Sequence, residues 1–213
     1  MRVPAARVLL AGAALAVLRL GAEATNAPSG PTAEAISLYK QGHYAEAKAA
    51  LERILAADDS NAAACYYLAM AAQKTKPPSL DTAHKWLKRA IHLAPDNETY
   101  LAELGGVTML LADRDRSLSY GIEGRDAMAK AIKMNPADID ATWGLMLFCA
   151  QAPWPFGDSR KAFALAAAIE KLDPKRGPAA YRATASAFEK AGRRHQEREA
   201  NEIAQKLAPA AAK

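Results

Sequence analysis

Histidine and cysteine are the residues of this sequence most able to bind a metal or act as nucleophiles, and their spacing favours neither chemistry. The 4 histidines and 2 cysteines are scattered through 213 residues. They form no His-x-x-x-His or Cys-x-x-Cys pair, the common ligand spacings of zinc sites. His84 and His92 would lie about 80° and about 12 Å apart on one helix, too far to share a metal. We therefore predict no metal site, no cofactor and no catalytic residue.

An apolar stripe that recurs along the chain must position these side chains. In the segment 41–59, Ala47, Leu51 and Ile54 are spaced by four and then three residues, which places them on one face of a helix. The corresponding triplets downstream are Ala83, Leu87 and Ala90; Gly124, Met128 and Ala131; Ala162, Ala166 and Ile169; and Glu197, Asn201 and Ala204. From Asp59 through the prolines at 95, 136, 174 and 209, the repeat interval is 36, 41, 38 and 35 residues. This period predicts stacked helical hairpins.

Each segment resembles the tetratricopeptide repeat (TPR), and the resemblance covers residues 32–209. The residues that match the first helix of that repeat are Leu68, Ala69, Leu104, Gly105, Tyr181, Ala185 and Phe188. The resemblance implies an all-α fold, a right-handed α-solenoid of about five tandem helix-turn-helix hairpins. The hairpins are expected at 33–57, 61–94, 98–135, 139–172 and 178–207.

Three departures from the repeat lie between paired helices. Extra residues follow Thr75 and occupy 113–120 and 153–156. The second insertion is predicted to be a longer, charged helix, or else a lip for a partner, and Gly121 and Gly124 are expected to weaken the helix there. Thr32 is expected to cap the first helix.

The two cysteines fall in first helices two repeats apart. Neighbouring helices pack about 8 to 10 Å apart, so Cys65 and Cys149 are expected to exceed the roughly 7 Å Cα separation that a disulfide allows. We predict two buried free thiols.

The N-terminus has the pattern of a secretory signal peptide, predicted over residues 1–24. Arg2 and Arg7 precede the apolar run 8–18, and Ala22-Glu23-Ala24 supplies a small-x-small cleavage site. The run is much shorter than the roughly 20 residues that span a bilayer, so stable membrane insertion after cleavage is not expected. An uncleaved anchor and a mitochondrial transit peptide are the alternatives. A linker is predicted at 25–31 and a tail at 210–213, and the expected location is periplasmic or secreted.

The net charge gives no support to nucleic-acid binding. The formal charge is +5 and the isoelectric point is near 9.2. Removal of residues 1–24 takes away three arginines and one glutamate and leaves about +3. Polyanion-binding domains carry larger or clustered positive charge, so no nucleic-acid partner is expected.

The first helices of a tetratricopeptide array line its concave face, and the resemblance implies that this face binds a partner. The residues predicted to contact that partner are Tyr66, Tyr67, Met70, Gln73, Lys74, Met109 and Arg182. Tyrosine offers contact area together with a hydrogen-bonding tip, although such rings can also pack against the next hairpin. The Lys and Asn residues that bind a C-terminal carboxylate in some tetratricopeptide domains are absent, since Thr32, Ile36, Tyr67, Thr99 and Glu103 occupy those positions.

A proline-stiffened loop supplies two more candidate contacts, Trp154 and Phe156. These rings either meet a partner at small entropic cost or fold back to seal the hairpin turn, and the second arrangement is favoured. The segment APWPFGD resembles a turn of bacterial envelope tetratricopeptide proteins of poorly defined role.

These features predict a non-catalytic adaptor, in the periplasm or cell envelope, that binds a protein or peptide segment on its concave face. A structural envelope scaffold or homo-oligomer is the alternative. An enzyme, or the accessory subunit of one, is the remote alternative.

Overall fold

The chain folds into consecutive antiparallel helical hairpins in the computed structural model, which describes residues 30–208. The predicted signal peptide, the rest of the linker and the tail lie outside these residues. The helices of the described part are α1 (Pro31–Lys40), α2 (Tyr44–Ala57), α3 (Ala62–Gln73), α4 (Leu80–Leu93), α5 (Glu98–Asp115), α6 (Leu118–Met134), α7 (Ile139–Gln151), α8 (Ser159–Leu172), α9 (Gly177–Lys190) and α10 (Arg194–Leu207). No helix in this range is long and apolar enough to cross a membrane.

The helices pair and stack in chain order, which confirms the predicted all-α solenoid. Each odd-numbered helix packs against the next even-numbered one, and each hairpin packs against its successor. First helices also contact one another directly, α1 with α3, α5 with α7 and α7 with α9. Between α3 and α5 the contact is made by Tyr66, which stacks on Tyr100 with ring centroids 4.7 Å apart. The first helices therefore form the inner wall of the array.

The recurrent apolar stripe is the core of each hairpin. Leu51, Leu87 and Ile169 are fully buried, as are the alanines beside them. Complete burial of a side chain of this size contributes about 1.5–3 kcal/mol. In α10 the buried residues are Ala200 and Ala204, whereas Asn201 is exposed. The last helix thus covers the core through alanines and presents polar residues to solvent, as the terminal helix of a solenoid requires.

Asparagine or aspartate side chains cap the N-termini of α3, α5, α7 and α8. The side chains of Asn61, Asn97, Asp138 and Asp158 accept hydrogen bonds from backbone N–H groups three residues downstream. Each such cap stabilises a helix by about 1 kcal/mol. The prediction that Thr32 caps α1 is wrong, because α1 begins at Pro31 after Gly30. The buried Thr32 hydroxyl instead accepts a 3.0 Å hydrogen bond from Asn61 Nδ2 and joins the first two hairpins.

Glycines allow α5 and α6 to approach closely. A Cβ atom on Gly105 would lie 3.3 Å from the carbonyl oxygen of Gly124, and one on Gly124 would lie 3.1 Å from the carbonyl oxygen of Gly105. Gly124 therefore permits this close packing, and α6 continues through both Gly121 and Gly124.

The insertion at 113–120 is divided between two helices, since residues 113–115 end α5 and residues 118–120 begin α6. The predicted longer, charged helix is therefore found only in residues 113–115, the end of α5. Arg114 donates hydrogen bonds to the carboxylates of Asp81 and Asp115, at 2.7 and 2.6 Å. Arg116 ends the helix in the left-handed conformation, with φ of 53°. The chain then turns into α6.

Candidate binding groove

An apolar cleft lies between α5, α7 and the start of α6. Its volume is about 810 Å³, which lies within the usual range for ligand sites. Its apolar walls are formed by Met109, Leu110, Leu118, Trp143, Leu147 and Phe148. Leu110 and Leu118 are 54% and 40% exposed, so apolar surface is presented to solvent at the mouth.

Glycines on two helices line this cleft. Gly106 lies on α5, and a Cβ atom there would have no neighbour within 4 Å. A large side chain at Gly106 would therefore fill the floor of the cleft. Gly144 lies on α7, where a Cβ atom would overlap the Met128 side chain, so this glycine makes room for Met128.

An acidic depression continues the cleft toward the beginnings of α5 and α7. It has a volume of about 280 Å³, and the four carboxylates that line it belong to Glu98, Glu103, Asp138 and Asp140. The depression and the apolar cleft share Gly106, Met128 and Asp140 as lining residues. The two concavities are therefore adjoining parts of one groove.

Two of the four carboxylates already have fixed partners. Asp138 caps α7 by accepting a hydrogen bond from the Ala141 N–H at 2.9 Å. Asp140 accepts a 3.0 Å hydrogen bond from Arg176, whose guanidinium also lies 5.4 Å from the Trp143 ring centroid. Neither Glu98 nor Glu103 has an ion pair with a residue in the range 30–208.

The environment of the remaining two carboxylates, Glu98 and Glu103, disfavours their charged form. Burial raises the pKa of Glu103; a hydrogen bond from Gln73 and the charge of Lys74 oppose this rise, and the charges of Asp138 and Asp140 add to it. Burial raises the pKa of Glu98 as well, and the neighbouring Asp138 carboxyl raises it further, whereas Asn135 and Thr99 oppose this rise. Negative charge is thus concentrated here beyond what the neighbouring cations neutralise.

A tyrosine patch, formed by Tyr39, Tyr44, Tyr66, Tyr67 and Tyr100, lies near Glu103. Successive ring centroids are 5.4, 5.4, 5.1 and 4.7 Å apart in the order 44, 39, 67, 66, 100. Such pairs contribute about 0.5–1.5 kcal/mol each beyond burial. The charge of Glu103, after burial, raises the pKa of Tyr66, so this carboxylate lies beside the patch.

Solved structures with this arrangement of hairpins are found among tetratricopeptide proteins. YrrB, described as a TPR protein with an unusual peptide-binding site, superposes with a TM-score of 0.68 at 19% identity, over 85% of this chain and 86% of that one. Two structures of MamA superpose with TM-scores of 0.63 and 0.66, at 20% and 19% identity, over 81% and 83% of this chain and 93% and 91% of theirs. This chain has the tetratricopeptide fold. Its sequence matches no protein-family model and no curated protein.

The residues predicted to contact a partner lie at several places on this TPR array. Tyr66 and Tyr67 belong to the tyrosine patch, Gln73 is half-buried and Lys74 is exposed. Met109 lines the apolar cleft. Their contact with a partner stays a prediction.

Two of the predicted residues are placed less favourably. Met70 is only 7% exposed and belongs to the core, where its sulfur accepts a 3.7 Å hydrogen bond from Gln73. Arg182 is exposed on α9 but lines neither the cleft nor the depression. We leave both out of the proposed site.

The loop between α7 and α8 corrects one expectation. Trp154 is 88% exposed, so its ring does not fold back to seal the hairpin, whereas Phe156 is half-buried. Arg193 of the last TPR hairpin holds the loop through hydrogen bonds from its guanidinium to the Ala152 carbonyl oxygen, at 2.7 Å, and to Ser159 Oγ, at 3.2 Å. The exposed ring is therefore carried on an anchored loop at the mouth of the cleft.

The cysteines are free and buried, as predicted. Burial raises the pKa of both Cys65 and Cys149, which disfavours the nucleophilic thiolate. Within residues 30–208, no group of three or more His, Cys, Asp or Glu side chains is arranged to hold a metal ion. His84 instead lies 3.0 Å from Glu123, which joins the second and third hairpins.

Proposed function

We propose that this protein is a non-catalytic adaptor that binds a segment of another protein in the groove formed by the tyrosine patch, the acidic depression and the apolar cleft. The observation that carries the proposal is the cleft of about 810 Å³, which is open, apolar in its walls and polar at its rim. A groove of this kind accepts side chains of an extended or helical peptide. The peptide-binding site for which YrrB is described gives the same fold a precedent.

A binding role without catalysis agrees with the chemistry of the described residues. The two thiols are buried and held protonated by their raised pKa. The carboxylates of the acidic depression lie at an open surface rather than in a closed site from which water is excluded.

A cleft-filling substitution tests the proposal. Gly106→Leu adds a bulky side chain where no atom lies within 4 Å, without removing a core contact. Ala167→Leu, at an exposed position on α8, adds a similar side chain outside the groove and serves as the control. In affinity capture from the native compartment, Gly106→Leu should lose the partner that the wild-type protein and Ala167→Leu retain. Retention by all three proteins would place the interaction elsewhere.

We also propose that the protein is exported to the periplasm or cell envelope, or secreted. The support is the arginine-flanked apolar run 8–18 followed by Ala22-Glu23-Ala24. N-terminal sequencing of the protein from fractionated cells should find Thr25 as the first residue in the envelope fraction. A cytoplasmic protein that begins at Met1 would contradict export.

The alternative, an envelope scaffold or homo-oligomer, predicts a molecular mass that depends on protein concentration. Light scattering of an adaptor should give the mass of a monomer at all concentrations, with partner capture still sensitive to Gly106→Leu. A mass that grows with concentration, together with capture insensitive to this substitution, would favour the scaffold.

A further inference from the structure

The acidic depression that adjoins the apolar cleft indicates the chemistry of the bound segment. Along α5 the lining changes from carboxylates, at Glu98 and Glu103, to apolar side chains, at Met109 and Leu110. The same order is found on α7, where Asp138 and Asp140 precede Trp143 and Leu147. Two neighbouring walls of the groove therefore share one direction, acidic at the beginnings of the helices and apolar further along. The cleft is also lined by Asp113, Arg116, Arg176 and Lys190, and Arg176 is paired with Asp140.

Helix capping accounts for only part of this acidity. Carboxylates are stabilising at helix N-termini, and Asp138 and Glu98 lie at such positions. Glu103 lies in the second turn of α5, beyond the orphan N–H groups that a cap satisfies. Its carboxylate is half-buried near Gln73, and Lys74, the basic side chain whose charge acts on it, is exposed.

The tyrosine patch adds aromatic rings near the acidic depression. Tyr66 contacts Tyr67 and Tyr100, and both Tyr66 and Tyr39 lie close enough to Glu103 for its charge to act on them. An ammonium or guanidinium group attracted by a carboxylate can lie on an aromatic face, an arrangement that contributes about 0.5–2 kcal/mol depending on desolvation. A neutral or acidic group in the same place would gain neither contact.

Resting on the proposed function, we propose that the partner segment carries a bulky apolar side chain, bound in the cleft, and close to it in sequence a lysine or arginine whose charge is bound by Glu98 and Glu103. The depression and the cleft adjoin at Gly106, so one short segment can fill both. Charge complementarity, rather than the net positive charge of the whole chain, selects the partner at this site.

A random dodecapeptide library displayed on phage is the probe for this inference. Selection on the purified protein should enrich peptides in which Lys or Arg lies within four residues of a Leu, Met or aromatic residue. The double variant Glu98→Gln, Glu103→Gln should lose the charge preference while still selecting apolar peptides. Glu46→Gln with Glu52→Gln, two exposed positions on α2, changes the net charge equally and should retain the preference.

Fluorescence anisotropy with one selected peptide gives the magnitude. Replacement of its lysine by norleucine should weaken binding to the wild-type protein about tenfold, the equivalent of about 1.4 kcal/mol, and should leave binding to the double glutamine variant unchanged. Circular dichroism checks that both glutamine variants fold.

The outcomes separate this inference from the proposed function. Selected peptides that are apolar without a charge preference, or a norleucine peptide that binds as tightly as the lysine peptide, would overturn the cationic segment and leave the adaptor role standing. Selection of no peptide, or the same selection by Gly106→Leu, would overturn both.

Discussion

Two adjacent glycines of α5 should respond oppositely to the same substitution. Gly105 faces α6, and a Cβ atom there would lie 2.4 Å from Met128 Cγ and 3.3 Å from the Gly124 carbonyl oxygen. Gly106 faces the groove, and its Cβ atom would have no neighbour within 4 Å. Gly105→Ala should therefore destabilise the protein, and Gly106→Ala should stabilise it.

The magnitudes follow from two opposing effects. Alanine in a helix interior is favoured over glycine by about 1 kcal/mol, whereas overpacking costs about 1–3 kcal/mol. The cost at Gly105 lies in the upper part of that range, because Met128 is buried and the Gly124 oxygen belongs to the backbone. The free energy of unfolding should fall by about 2 kcal/mol for Gly105→Ala and rise by about 1 kcal/mol for Gly106→Ala.

Thermal unfolding followed by far-ultraviolet circular dichroism measures both changes. At about 2–4 °C per kcal/mol for a chain of this size, Tm should fall by about 4–8 °C for Gly105→Ala and rise by about 2–4 °C for Gly106→Ala. Gly105→Ala should cost less in a Met128→Ala background, because the side chain it meets is gone. Equal Tm shifts for the two glycines would refute the close packing of α5 on α6.

Three further predictions concern contacts between hairpins. Arg193→Ala should lower the free energy of unfolding by about 1–3 kcal/mol, because the carbonyl oxygen of Ala152 loses its charged donor. Urea unfolding measures this change. An unchanged midpoint would contradict the role of Arg193 in holding the loop between α7 and α8. Asn61→Ala removes both the cap of α3 and the hydrogen bond to Thr32. It should lower the free energy of unfolding by about 1–2 kcal/mol. A decrease below about 0.3 kcal/mol would show that neither hydrogen bond stabilises the fold. The pKa of Glu103 is raised above its ordinary value of 4.5, so folding favours the protonated carboxyl, and this contribution to stability is present at low pH and lost as pH rises through the raised pKa. Glu103→Gln should therefore raise the free energy of unfolding at neutral pH and make it depend less on pH above 4.5. Urea unfolding at a series of pH values measures this. If the free energies of the wild-type protein and the variant changed in parallel with pH, the raised pKa of Glu103 would be contradicted. The other charged groups that act on this carboxyl are Lys74, Asp138 and Asp140.

The fold was accessible from the sequence because each hairpin repeats a local pattern. The stripe of Ala47, Leu51 and Ile54 predicts a helix over 44–57, and α2 has these bounds. Burial of an apolar stripe against the preceding helix is a short-range event that spacing alone reveals.

The apolar cleft was harder to predict because α7 is apolar on almost every side. Trp143, Leu147 and Phe148 lie on the cleft wall, yet the segment Ile139–Gln151 offers little polar contrast to show which face is open. Gly106 is the signal that could have indicated the cleft, since it leaves open space on α5.

The exposure of Trp154 depends on a contact that local sequence cannot show. Arg193 lies 41 residues from the Ala152 carbonyl oxygen it binds, and it belongs to the next hairpin. Because Arg193 of the next hairpin holds this loop, the prolines that flank Trp154 could not by themselves show whether its ring is exposed.

Site-specific photocrosslinking tests the binding groove most directly. A benzoylphenylalanine residue placed at Leu110, in the wall of the cleft, should crosslink to the partner in the native compartment, and mass spectrometry should identify the attached segment. The same residue at Leu172, which is similarly exposed at the end of α8 but outside the groove, should give no such adduct. Crosslinking to the partner from Leu172 and not from Leu110 would contradict the groove as the binding surface.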